Sequence, residues 1–252
     1  MALSKNKIKL IRSLELKKNR REENSFVAEG HKLVGELLGH FACRLLVATS
    51  DWLESHRDVQ AEEVVAVTHD ELSRASLLKA PQDVIAVFAQ REDSCSPDDV
   101  TGKLCLALDD VQDPGNLGTI VRLADWFGIR DVFCSQGTAD IYGPKAVQAT
   151  MGALARVKVH RCSLTGLLAK VESPIYGTFL DGENIYKASL SGEGIIVMGN
   201  EGNGISSEVA KLVTQRILIP PYPCGAAVVE SLNVATATAI VCSEFRRRML
   251  KR

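Results

Sequence analysis

The chain has 252 residues, of which 24% are charged and 46% hydrophobic, and its formal net charge is −1 at pH 7. That balance excludes binding of nucleic acid by net charge alone, and the length suffices for a sizeable core without disulfides. No apolar run reaches the roughly 18 residues that cross a bilayer, and the start, MALSKNKIKLIRSLELKKNRR, has no continuous apolar stretch of the kind a signal peptide needs, so the cytoplasm is the expected compartment.

The N-terminal part alternates between helical and strand-like patterns. A basic amphipathic helix is predicted near 4–18, then a short strand at Phe26 and Val27, and a helix opening near Gly30. Strands are predicted at 43–48, 64–67 and 84–89, with helices near 51–56 and 69–78 between them. The polar, acidic run QREDSCSPDDVTG then breaks the periodicity and reads as a linker. It divides the chain into a small α/β domain (1–92), a linker (93–102) and a larger domain (103–252). In the larger domain, strands are predicted at 104–109, 131–135, 156–160, 175–179, 194–199 and 216–220. Helices are predicted at 117–127, 143–151, 164–171 and 206–213, with a last one from about Leu232 to Leu250. Short apolar strands alternating with helices imply an α/β fold with a parallel sheet covered on both faces.

The seven cysteines form no CxxC pair, and the five histidines form no HxxxH or HExxH pattern. Reduced thiols and no metal site are expected. Basic residues crowd both ends: Lys5, Lys7, Lys9 and Arg12 at the start, Arg246, Arg247 and Arg248 at the finish. Each run is either a solvated helix face or a set of phosphate contacts.

Ligands of open parallel sheets bind beyond the carboxyl ends of the strands, and three unusual loops are expected there. In DDVQDPGNLGTIVRLADWFGI, Asp113-Pro114-Gly115 is a turn, Asn116 a helix cap and Arg122 a cation amid apolar residues that calls for a partner or a ligand. In IIVMGNEGNGIS, Gly199, Gly202 and Gly204 follow a buried-looking strand, with Glu201 at the tip of the turn. This is neither GxGxxG nor a Walker loop, which disfavours a nicotinamide oxidoreductase and a nucleotide triphosphatase. In LIPPYPCGAAVVESLNVATATAIV, a strand ends at Pro220-Pro221 and a helix rich in small residues opens with Ser231 as cap.

Taken singly, each loop also has a purely structural reading. Taken in order, NLGTIVR, VMGNEGNGI and ESLNVA resemble the three signature motifs of the SpoU family of RNA ribose 2′-O-methyltransferases, within the SPOUT superfamily. The stretch NSFVAEGHKLVGELL is similar to the substrate-binding extension of such enzymes, which resembles a small α/β RNA-binding fold of certain ribosomal proteins.

The resemblance implies a SPOUT domain whose C-terminal segment forms a trefoil knot, a homodimer with pockets near its interface, and S-adenosyl-L-methionine as methyl donor. It places Gly199, Asn200, Gly202, Ile219, Leu232 and Asn233 at the donor, many through backbone groups. It places Arg122, Asn116, Glu201, Ser231 and Asn233 at functional positions, with Arg122 near the target phosphate or hydroxyl. A guanidinium is a poor base, so an electrostatic role is preferred for Arg122. Under this reading Lys5, Lys7, Lys9 and Arg12 contact RNA, with ribosomal RNA favoured over transfer RNA as substrate. One departure is the run Pro221 to Ala227, longer than the family's usual loop and without its Met after Ile-Pro. The rivals are a transfer-RNA enzyme, a base-nitrogen methyltransferase and a non-catalytic RNA-binding protein of the same fold.

Overall fold

The computed structural model describes residues 3–92, 95–223 and 231–250. In chain order the elements are α1 (Lys5–Ser13), α2 (Lys17–Glu22), β1 (Ser25–Glu29), α3 (His31–Leu37), β2 (Cys43–Thr49), α4 (Ser50–Ser55), β3 (Val64–Val67), α5 (His69–Ala75) and β4 (Val84–Ala89). They continue with β5 (Leu104–Leu108), α6 (Pro114–Trp126), β6 (Asp131–Cys134), α7 (Pro144–Thr150), β7 (Lys158–Arg161), α8 (Leu164–Leu168), β8 (Ile175–Asn184), β9 (Gly194–Met198), α9 (Ser207–Ala210), β10 (Gln215–Leu218) and α10 (Val234–Met249).

Two compact units form, one from Met1–Glu92 with Asp140–Ala155, the other from Asp93–Ala139 with Arg156–Arg252. In the smaller unit the sheet order is β1-β4-β2-β3. β4 runs antiparallel to β1 and β2, and β2 runs parallel to β3. Ile11, Leu14, Val27, Val47, Leu72 and Ile85 fill the core on one side.

The helix expected over 4–18 is two helices. Ile11 and Leu14 are wholly buried, and side chains from α2 take the carbonyls at the end of α1. Asn19 Nδ2 donates to Ser13 O at 2.8 Å, and Arg20 Nη1 donates to Leu14 O and Glu15 O at 2.8 and 2.7 Å. These bonds satisfy carbonyls that a continuous helix would have used itself. Arg20 is buried and its Nη2 pairs with Asp140 at 2.7 Å.

In the larger unit a six-stranded sheet has the order β10-β8-β9-β5-β6-β7, and neighbouring strands are parallel throughout. β5, β6 and β9 are buried at every residue, as strands covered on both faces must be. β8 reaches Asn184, beyond the 175–179 expected, because its register against β10 jumps from Gly177↔Arg216 to Glu183↔Ile217. The residues between form a bulge that alternation alone does not reveal.

α10 packs on α6, and its basic end is structural. Arg246 Nε donates to Phe127 O at 2.6 Å and Nη2 to Gly128 O at 3.2 Å, closing the end of α6. Arg247 and Arg248 both pair with the buried Glu244, at 2.6 and 2.8 Å. Phosphate contact by these three arginines is therefore not the reading their environment supports. Hydrogen bonding from Arg247, then from Arg248, pulls the Glu244 carboxyl down to about 2. A carboxyl depressed in the folded state stabilises above its ordinary value near 4.5, and that stabilisation is lost as pH falls toward 2. Glu244→Gln is thus expected to cost about 1–2 kcal/mol at pH 7, discounted for the half-exposed Arg247, and almost nothing near pH 2. Urea unfolding at both pH values checks this; an equal cost at both would refute it.

No helix among the described residues is long and apolar enough to cross a membrane. No group of three or more His, Cys, Asp or Glu among them is placed to hold a metal ion.

Candidate active site

Parallel pairing puts the carboxyl ends of β5, β9 and β10 on one edge of the large sheet, and the three unusual loops leave from there. The first begins with the doublet Asp109-Asp110 at the end of β5. Asp109 is buried, and its Oδ2 accepts from Ser206 N at 2.8 Å. Asp110 has φ +57, and its carbonyl accepts from Asn200 Nδ2 at 2.8 Å. The two consecutive aspartates therefore tie down both ends of the glycine turn that follows β9. Ser135 Oγ donates to the Asp110 carboxylate and accepts from Asp110 N at 2.9 Å, which fixes the left-handed backbone there. Arg161 braces the neighbouring loop by donating to the carbonyls of Ser135, Gln136, Thr138 and Ala139. Sequence reasoning missed all of these; the one visible signal was the acidic doublet at a strand end.

The glycine turn closes on itself. Asn200 N donates to Gly204 O at 2.9 Å and Gly204 N to Asn200 O at 3.0 Å. Asn200 Oδ1 accepts from Gly202 N and Asn203 N at 2.9 and 3.0 Å. A Cβ on Gly199 would lie 2.3 Å from Gly204 C, so no side chain fits there. Around Gly202 the nearest atom to such a Cβ is Asn200 Oδ1 at 3.6 Å, so the tip of the turn is open.

The cap expected at Asn116 is instead Asp113, whose carboxylate accepts from Asn116 N at 2.8 Å, and α6 begins at Pro114. Proline is well placed there, since its missing N–H is one the helix leaves unpaired anyway. This frees the Asn116 side chain. Its Nδ2 donates to Glu201 Oε1 at 2.9 Å, and its Oδ1 accepts from Asn233 Nδ2 at 3.0 Å. Asn233, not Ser231, caps α10: its Oδ1 accepts from Ala235 N and Thr236 N at 3.0 and 3.2 Å. The direction of the chain is forced. Helix N–H groups fix the oxygen of Asn233, so its amide nitrogen faces Asn116, and the amide of Asn116 must then face the carboxylate of Glu201.

Glu201 and Asn233, distant in sequence, are thus joined through Asn116, which bonds to both. Arg122 is not part of that chain. It lies on α6 about 9 Å along the axis from Asn116, is exposed, and makes no hydrogen bond or ion pair with a described residue. Ser231 and Leu232 are exposed just before α10, and Ile219 is half-buried just after β10. Of the long Pro221–Ala227 run, residues from Cys224 onward lie outside the described residues.

Residues 103–243 match the SpoU rRNA Methylase family, and residues 5–86 match the MRM3-like substrate binding domain. The chain is 30% identical over 245 residues to the 23S rRNA (guanosine(2553)-2′-O)-methyltransferase RlmP of Bacillus subtilis, covering 95% of this chain and 96% of that one. A TrmH-family structure from Porphyromonas gingivalis superposes with a TM-score of 0.90 at 46% identity, covering 98% of this chain and 100% of the other. An AdoMet-bound rRNA methyltransferase from Sinorhizobium meliloti superposes with a TM-score of 0.86 at 30% identity, covering 99% and 97%. With its three motif loops joined at one sheet edge and a family match over more than half its length, the chain belongs to the SpoU rRNA methylase family.

Proposed function

We propose that the protein methylates the 2′-hydroxyl of a ribose in ribosomal RNA. The carrying observation is the hydrogen-bonded chain from Asn233 through Asn116 to Glu201, which joins the three motif loops at the carboxyl ends of the strands. Transfer of labelled methyl from S-adenosylmethionine to ribosomal RNA, with a linkage that resists alkali, is the test. A transfer that leaves the adjoining linkage alkali-labile points to a base, and no transfer ends the reading.

S-adenosylmethionine, when bound, supplies an electrophilic sulfonium methyl. The glycine turn suits such a donor: Gly199 admits no side chain and Gly202 stands open, so the turn would offer backbone groups to it. Gly199, Asn200, Gly202, Ile219, Leu232 and Asn233 are the residues proposed to hold it. Asn116, Glu201, Ser231 and Asn233 keep the site in shape, and the Arg122 guanidinium, without a partner among the described residues, orients the target phosphate or stabilises the developing 2′-oxyanion. RNA follows from the target, because DNA lacks the 2′-hydroxyl.

The segment 1–92 is assigned to RNA binding and 103–252 to methyl transfer, with the C-terminal part threaded as the family's trefoil knot. A homodimer in the cytoplasm completes the reading. The homodimer is supported by Trp126, 83% exposed on α6, and by a groove of about 630 Å³ lined by Phe127, Tyr186, Ala239, Ile240 and Ser243 with the Glu244–Arg247 pair at its side.

Of the basic residues in α1, Lys5, Lys9 and Arg12 recur at i, i+4 and i+7 and share one exposed face. Lys7 is already paired with Glu63 at 2.5 Å, and Arg12 Nη1 donates to Arg74 O at 3.0 Å. Reversing Lys5 and Lys9 to Glu is therefore expected to weaken RNA binding about tenfold at moderate salt and to flatten its salt dependence. Reversing Lys7 should do less. Unchanged affinity in the Lys5/Lys9 variant would return α1 to a solvated face.

A further inference from the structure

The small unit carries a buried indole, Trp52, with two imidazoles against it that the proposed reaction does not use. β1 and β2 both run antiparallel to β4, and β3 runs parallel to β2, so the carboxyl ends of β1, β2 and β3 share one edge. His31 follows β1 there, and Trp52 and His56 follow β2. Trp52 Nε1 donates to His31 Nδ1 at 3.2 Å. His56 lies flat on Trp52, with centroids 3.9 Å apart and planes 4° from parallel, and its Nδ1 is 2.8 Å from Trp52 O. The two imidazoles are 5.1 Å apart, edge to face.

These bonds fix the tautomers. An indole N–H only donates, so His31 Nδ1 accepts, and in the neutral ring the proton sits on Nε2. A carbonyl only accepts, so His56 Nδ1 donates and its Nε2 is an acceptor. Neither Nε2 has a hydrogen-bond partner among the described residues. The edge therefore presents a partly exposed imidazole, a donor and an acceptor side by side. Glu29, the last residue of β1 at this edge, is held by Leu77 N at 2.7 Å and by Ser76 Oγ, which both donate to its buried carboxylate. The charges around the rings are mixed, with Lys32 and Arg57 exposed alongside Asp51 and Glu54, which does not favour a phosphate.

We infer that this edge docks an unpaired nucleobase of the RNA substrate, stacked on the face of His56 turned away from Trp52 and hydrogen-bonded by the Nε2 atoms of His31 and His56. The chemistry is that of single-strand recognition, in which aromatic or imidazole rings stack on a splayed base while polar groups read its edge. The inference rests on the RNA reading above.

Trp52 gives a direct reporter, because the chain has only 2 tryptophans. In full-length Trp126→Phe protein, Trp52 emission is followed as single-stranded oligoadenylate of about twelve nucleotides is added. A saturable change is expected. In the same background His56→Ala should weaken binding about fivefold or more, His56→Phe, which keeps the ring face but not Nε2, should restore it only in part, and the slope of affinity against salt should not move, since no phosphate contact is lost. His31→Ala, which leaves α4 untouched, provides the same test if His56→Ala does not fold. Absence of binding, binding without a change in Trp52 emission, or equal affinity in the folded alanine variants overturns the inference. Methyl transfer to ribosomal RNA by the unmodified protein separates the two readings: transfer without ring dependence removes this site alone, whereas no transfer removes the function.

Discussion

Arg122→Ala is expected to lower methyl transfer by at least about a hundredfold, the scale seen when one donor to a developing oxyanion is removed. Affinity for S-adenosylmethionine should stay within about twofold, because Arg122 sits outside the Asn233–Asn116–Glu201 chain and outside the glycine turn. Stability should also hold within about 0.5 kcal/mol, since the side chain is exposed and has no described partner to lose. The pattern separates a group that acts on the transition state from one that shapes the pocket. Arg122→Lys keeps the charge but not the fork of donors, so partial activity marks a bulk electrostatic role and none marks a geometric one. Weakened donor binding with intact turnover would defeat the assignment.

Gly199→Ala is expected to act on the other half of the reaction. The added Cβ would lie 2.3 Å from Gly204 C and 2.4 Å from Ile205 N, both backbone atoms of the same turn. Neither can swing aside as a side-chain end does, so the turn must open and the paired bonds between Asn200 and Gly204 must stretch. Strain of this kind costs about 1–3 kcal/mol, and it falls on the loop proposed to hold the donor. Affinity for S-adenosylmethionine should drop at least tenfold by calorimetry. Gly202→Ala is the comparison: its Cβ would meet nothing closer than 3.6 Å, so the turn stays closed, and the smaller loss of donor affinity expected there reports contact at the tip alone. Equal losses in both variants would mean that the turn contacts the donor through its tip rather than depending on its closure.

Much of the architecture was legible because the periodicities are clean. The strands at Val64–Val67 and Val84–Ala89 begin and end where the apolar runs do. The parallel sheet of the large unit followed from fully apolar strands spaced by helices. The break at Leu14–Leu16 was hidden because the residues that cause it, Asn19 and Arg20, act by reaching back to carbonyls rather than by interrupting the pattern. The grouping of Asp140–Ala155 with the N-terminal unit is likewise a matter of tertiary contact, carried by Arg20 on Asp140 and by Tyr142 on Phe26, rings 4.9 Å apart.

The site shows the same division. The order and content of the three loops pointed to the family, but local capping rules could not choose between Asp113 and Asn116, or between Ser231 and Asn233, since all four residue types cap helices well. The choice is made across the fold. Asn116 has a carboxylate to bind in Glu201, and Asn233 has an amide oxygen to bind in Asn116, so capping passes to Asp113 at one helix and stays with Asn233 at the other. Asp109 and Asp110 escaped notice because their partners lie some ninety residues away: the Asp109 carboxylate accepts from the backbone of Ser206, and the Asp110 carbonyl accepts from the side chain of Asn200.

The most direct measurement is a map of ribose methylation in RNA from cells with and without this protein. One 2′-O-methyl ribose in ribosomal RNA should vanish in its absence and return on expression of the intact chain but not of the Arg122→Ala form. A map in which every ribose methylation persists unchanged would contradict the account.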